Sequence, residues 1–289
     1  MASLVLLLVG PASAACINLG TAAAYAGANL PGTGVFNING ATIVNGDVYV
    51  GDTSAYYDLS FTGGSQLQAF NGHGGTIFLA PNATMTATGG STAAGGQVLL
   101  NVAQSNQVVA DLNTALADVA ALAATQTLGA ISGNATITST TQVNVIDLTS
   151  VTETDGGTLT FSGSATDCFI VRVSGDLLAS GASNIDSDGV GPANLLFVVQ
   201  GYIKSTNSSL EGTYISTGGA IVVSGGDQFG AFIQAAVGKN LIFESGATIY
   251  FNGIPPTGIP IPLPASVLLL GSGLLRLVIF RNRKRTPGN

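Results

Sequence analysis

The 289-residue sequence is poor in charge: 8% of its residues are Asp, Glu, Lys or Arg, against roughly 25% in ordinary soluble domains. It has no Trp, two Cys and a single His, His73. Basic residues are scarcer still. Of eight, five lie within the last 14 residues, so the body before them carries three basic residues against 15 acids. A body that acidic repels nucleic acid, whose binding depends on clustered Lys and Arg. With one His in the turn-like stretch Asn71-Gly72-His73-Gly74-Gly75, and no Gly-rich stretch opening a helix, neither a catalytic constellation nor a phosphate loop is legible. The chain reads as non-enzymatic. A polysaccharide-cleaving β-solenoid that uses Asp186 and Asp188 is the alternative from another class.

What is present is 40 Gly and 46% apolar residues. Low charge with this apolar content excludes a disordered chain and favours short strands joined by Gly-rich turns. In residues 195–251 a step of 18 recurs: Leu196-Phe197, Tyr214-Ile215, Phe232-Ile233 and Tyr250-Phe251. Within it Gly201-Tyr202-Ile203 matches Gly219-Ala220-Ile221, and Glu211-Gly212 matches Phe229-Gly230. A fixed period near 20 implies stacked units that share one core. The expected fold is all-β, a Gly-rich β-solenoid of about 18-residue coils spanning residues 15–253. Residues 104–126 lack Gly and Pro and place Val108, Leu112, Ala115, Val119 and Leu122 at helical spacing. They predict one long helix lying along the coil, with Ser105 as N-cap and Gly129 just past its end.

Both ends read as targeting signals. Leu4 to Val9 form an apolar run, and Ala12 and Ala14 give the A-x-A pattern of a signal peptidase site, which marks residues 1–14 as a signal peptide. Residues 254–264 are a Pro-rich linker. Residues 265–280 are 16 mostly apolar positions, short of the roughly 20 a bilayer span needs. Read as a C-terminal hydrophobic helix, they precede the basic cluster Arg281, Arg283, Lys284 and Arg285, so residues 265–285 form one unit. Positive-inside logic leaves the body outside the membrane. Cys16 and Cys168 would then meet an oxidising compartment and could pair, or could serve as two small apolar side chains.

This tail resembles the PEP-CTERM sorting signal of bacterial exosortase substrates. Pro262, Leu263, Pro264 and Ala265 look like its P-x-P-A motif, and Leu270-Gly271-Ser272-Gly273-Leu274-Leu275 like its following segment, with Leu263 and Arg276 as the differences. The resemblance implies signal peptidase and exosortase as partners. It also implies transient single-pass anchoring in the inner membrane and delivery to the cell envelope or extracellular matrix.

The body resembles the ice-binding-like β-solenoid domains, through Leu19-Gly20-Thr21-Ala22-Ala23-Ala24-Tyr25-Ala26, the helix beside the coil and closing rungs like residues 240–252. Its centre, Val143-Asn144-Val145-Ile146-Asp147-Leu148 through Val173-Ser174-Gly175-Asp176, resembles the choice-of-anchor A adhesive domains. Both resemblances imply surface binding, here to extracellular polysaccharide or another repetitive surface. The leading expectation is an adhesin-like matrix protein, with ice binding as the alternative.

Two candidate sites remain. Asn184, Asp186 and Asp188, with Gly189, match the first half of a calcium loop, although Leu195 stands where the bidentate Glu belongs. Calcium is thus the one cofactor the sequence suggests, against an Asx-rich turn that interrupts the coil. Thr84, Thr86 and Thr88, like Thr136, Thr138 and Thr140, alternate at strand period, which aligns hydroxyls as a surface-binding face.

Overall fold

The computed structural model describes residues 17–53 and 57–251. Short parallel strands wind into a three-sided coil, joined as the sequence expects by Gly-rich turns. One side is covered by a helix, one is a sheet of nine strands, and the third carries most of the outward acids. Every named strand pair is parallel, because each strand lies on the equivalent strand of the next coil.

The coils do not stack in chain order. From residue 126 to 250 they follow one another, but the coil that lies on the last of them is the N-terminal one. Gly27 pairs with Phe232, Phe36 with Leu241, and Thr248 with Ile43. The coil then continues through Val48–Val50 and Ile77–Leu79 to Gln97–Leu99. From that end the α-helix α1, Val102–Ala121, carries the chain back towards the other end, where Gln126–Thr127 opens the first coil. A 20-residue helix is about 30 Å long, enough to return across about six strand spacings of about 4.8 Å.

The helix begins two residues earlier than expected and stops five earlier. Asn101 is the N-cap: its side chain accepts from Gln104 N, while Gln104 Oε1 accepts from Asn101 N, a reciprocal capping box. Ser105, expected as the cap, is instead buried one turn in, and its hydroxyl meets Tyr49 Oη at 2.7 Å. At the other end Leu122 is extended and its N–H returns to Val119 O, so residues 122–126 lead into the coil. Val108, Leu112, Ala115 and Val119 pack on Ala28, Tyr49, Val145, Ile170, Leu196, Ile215 and Ile233 of the covered side.

The coil interior is lined by one residue in two from each strand, the alternation that strand geometry imposes. Phe197, Tyr214 and Phe232 are in register and stack at 4.6 and 5.4 Å, with Tyr214 Oη donating to Glu211 O. Register also refines the period. Ile146, Val171, Phe197, Tyr214 and Phe232 are successive partners, at steps of 25, 26, 17 and 18 residues. A step near 18 residues therefore holds only across residues 196–234. Tyr250 breaks the series: it pairs with Phe229 and Asn45 on the third side, not with Phe232.

The corner between the nine-stranded side and the third side shows why the sequence is rich in Gly-Gly and Ser-Gly. Paired left-handed residues turn the chain at Gly40-Ala41, Gly63-Gly64, Gly89-Gly90, Gly181-Ala182, Gly225-Gly226 and Ser245-Gly246. Corners stack directly: a Cβ on Gly63 would stand 2.7 Å from Gly40 N. Just after the turn an inward hydroxyl returns to the carbonyl before it, as in Thr42 to Asn39 O and Ser65 to Thr62 O.

A nine-stranded face as the candidate functional site

The nine-stranded side runs Ala130–Ser132, Ser150–Glu153, Leu177–Ser180, Ile203–Thr206, Ile221–Ser224, Leu241–Glu244, Phe36–Ile38, Leu59–Phe61 and Met85–Ala87. The inward residues of its seven middle strands, including Leu177, Ile203, Ile221, Leu241, Phe36 and Leu59, are buried, which holds the sheet against the core. Alternation then forces one central outward column: Ser132, Thr152, Leu178, Lys204, Val222, Ile242, Asn37, Ser60 and Thr86, each in register with the next.

Beside it, at the corner, runs a second column. Ser180, Thr206, Ser224 and Glu244 are in register. Thr62 and Thr88 continue it, donating ladder bonds to Ile38 O and Phe61 O. Side chains along a column repeat at about 4.8 Å, and the two columns lie about 6.6 Å apart along the strands. The whole is a rigid grid with few charges. Hydroxyls precede the left-handed pairs at Thr62, Thr88, Ser180 and Ser224, so a Ser or Thr just before a Gly-Gly or Gly-Ala turn was the signal for this column.

The two threonine stretches do not share a face. Thr86 belongs to the central column and Thr88 to the corner column, at the end near Gln97–Leu99. Thr84 ends in Asp58, its hydroxyl donating to Oδ2 at 3.1 Å. Burial works to raise the Asp58 carboxyl. Hydrogen bonds from the Thr53 hydroxyl and from the amides of Thr84 and Thr53 outweigh it and hold the group below the usual carboxylate range. Thr136 and Thr138 lie on the third side at the opposite end, where Ala135–Thr138 pairs only with Thr158–Ser162. Thr140 is in the turn beyond, and its amide donates to Asn144 Oδ1.

The calcium-like segment is neither a loop nor a turn. Asn184–Asp188 is a strand of the third side, because Ile185 between the polar residues is a core residue in register with Leu159 and Leu210. Asp188 accepts from the Ser162 hydroxyl, and Glu211 from the amide and hydroxyl of Ser187. Burial, then the nearby Glu211, pushes the Asp186 carboxyl up. Among the described residues no group of three His, Cys, Asp or Glu side chains is placed to hold a metal.

His73 is held rather than poised. Its Nδ1 lies 3.0 Å from Asp47 Oδ2, and its ring meets the edge of Phe251 at 4.5 Å. Cys168 is buried and disulfide-bonded. Cys16, Ala12, Ala14, Pro262, Leu263, Pro264, Ala265 and the basic cluster Arg281, Arg283, Lys284 and Arg285 lie outside the described residues. No helix among the described residues is long and apolar enough to cross a membrane. A groove of about 530 Å³ beside the C-terminal end of α1 is lined by Leu116, Leu128, Asp147, Arg172 and Gln200. Arg172 is committed there: Nε and Nη2 bind Asp147, and Nη1 caps α1 at Val119 O and Leu122 O.

The fold is shared with solved structures. An ice-binding protein from an Antarctic biological consortium is 22% identical, with a TM-score of 0.57 over 81% of this chain and 90% of that one. The fold is that of ice-binding β-solenoids. An ice-binding protein from an Arctic yeast matches with a TM-score of 0.54 at 15% identity, over 84% of this chain and 97% of that one. A Shewanella frigidimarina ice-binding protein domain matches with a TM-score of 0.54 at 20% identity, over 81% and 97%. No protein-family model and no curated protein matches the sequence.

Proposed function

We propose that the protein binds ice through its nine-stranded face. The observation that carries this reading is the grid itself: nine consecutive parallel strands whose outward columns hold Thr152, Ser60, Thr86, Thr62, Thr88, Ser180, Thr206 and Ser224 at fixed spacing. A crystal face presents its own repeating rows of water oxygens, so a rigid grid of hydroxyls can match many of them at once without losing side-chain freedom on docking. Between the hydroxyls stand Leu178, Val222 and Ile242, which exclude loosely held water from the contact. The solved ice-binding proteins of the same fold support the reading.

The test is ice recrystallisation inhibition by the full chain, with thermal hysteresis as a second readout. Activity that is lost in Thr206→Tyr/Ser224→Tyr, with the melting temperature unchanged, supports the reading. A folded wild-type chain without either activity overturns it.

Adhesion to a solid polysaccharide is a second use of the same face. It is favoured by Lys204 in the central column and by exposed Tyr202 at the start of that strand. Pull-down with insoluble glycans distinguishes the two. In either role the protein is a non-enzymatic, secreted surface or matrix protein. Export through Ala12 and Ala14 fits the disulfide at Cys168, since such bonds persist in oxidising compartments. Sorting would proceed through Pro262 to Ala265, with the membrane as a transient station.

A further inference from the structure

Parallel coils need caps, because the last strands of a solenoid expose both the core and unpaired backbone. At the end reached by residues 76–99 the described residues supply none. Gln97–Leu99 pairs only with Ile77–Leu79, Met85–Ala87 only with Leu59–Phe61, and Thr92–Ala93 only with Gln66–Gln68. The core runs out into the open there. Leu99 continues the inward column of Val50 and Leu79, yet it is 69% exposed. Val98 continues the helix-side column of Tyr49 and Phe78 and is 41% exposed. Val102, in the first turn of α1, is 63% exposed beside them.

Charge is missing from this end as well. Residues 74–110 contain no Asp, Glu, Lys, Arg or His. Proteins ordinarily blunt a free strand edge with Lys or Pro placed on it, and this edge has neither. Elsewhere the acids in excess oppose the approach of two copies, whereas here like-charge repulsion is absent.

The backbone specifies how a second copy can bind. Gly96 O accepts from Ile77 N, and Leu100 N donates to Leu79 O. Alternation along the strand therefore leaves the N–H and C=O of Gln97 and Leu99 on the free side. Head-to-tail stacking would place two strands in one slot, since Gln97–Leu99 closes one end and Gln126–Thr127 opens the other on the same side of the coil. Antiparallel pairing across a two-fold axis at Val98 has no such conflict, and a self-complementary patch is what a two-fold requires.

We propose that the protein forms a two-fold dimer in which Gln97–Leu99 pairs antiparallel with the same strand of a second copy, covering Val98, Leu99 and Val102. Sedimentation velocity of the full chain over a hundredfold concentration range tests it. The expected result is a dimer that Leu99→Lys weakens at least tenfold, while Leu128→Lys near the other end leaves it intact. Gln97→Pro removes an N–H that no bond within the coil uses, and tests the strand pairing in case Leu99→Lys fails to fold. A monomer throughout, a dimer insensitive to both Leu99→Lys and Gln97→Pro, or one equally weakened by Leu128→Lys overturns the proposal.

Discussion

The nine-stranded side and the third side are built from the same coils, share one corner and pack on one core, yet only the first is a regular grid. Its strands are uninterrupted, and its registered outward columns carry the charges Lys204 and Glu244. On the third side, Ser209–Ser216 and Asp227–Gln234 bend away at Gly212 and Gly230 to become part of the helix-covered side. Outward positions there include Asp186, Asp188 and Glu211. Regularity is therefore not a property of the solenoid as such. It follows from where strands end and from which residues alternation turns outward.

The largest effect should come from breaking the bend that distinguishes the two sides. A Cβ on Gly230 would fall on Gly212 O. Gly230→Ala should therefore cost about 3 kcal/mol or more, read as a lowered midpoint in denaturant melts. Thr206→Tyr/Ser224→Tyr should reduce ice recrystallisation inhibition at least tenfold with little change in stability, while Asp186→Tyr on the third side leaves activity near wild type. An intermediate effect is expected at the corner. Glu153 is fully buried, neither carboxylate oxygen has a hydrogen-bond partner, and burial raises its carboxyl above the ordinary value of 4.5. Its neutral form favours the fold, so the stability it allows is complete below pH 4.5 and declines as pH rises through its raised value in the fold. Glu153→Gln should flatten that dependence and add about 1 kcal/mol at pH 7, measured by melts at pH 4 and pH 7. The smallest change should be Asn101→Ala, which removes half of an exposed capping box on the helix that braces neither open side, at about 0.5 kcal/mol.

Much of the fold was legible because apolar alternation and left-handed turns leave marks that survive without homologues. Ile203 does lie on Ile221, and Gly212 on Gly230, as their spacing suggested. The helix was visible from Val108, Leu112, Ala115 and Val119, but its cap was not, since Asn101 and Ser105 are equally good caps until Tyr49 claims the Ser105 hydroxyl. What escaped the sequence was long range. Nothing local says that Gly27 lies on Phe232, so it could not be seen that Thr86 and Thr136 fall on different sides at opposite ends. Likewise Asp186 and Asp188 suggest a loop until Ile185 is known to face the core. The candidate face was half legible: its hydroxyls stand before recognisable turns, but their assembly into columns depends on register.

The out-of-order stacking has a mechanical consequence. The last described strand, Thr248–Tyr250, is held on both flanks, by Asp227–Gln234 and by Ile43–Asn45. A pull on the chain beyond Phe251 is thus delivered to the middle of the stack. It must shear two ladders at once instead of peeling one strand from an edge, so a body tethered by its C-terminal segment would resist drag like a wedge driven between two planks.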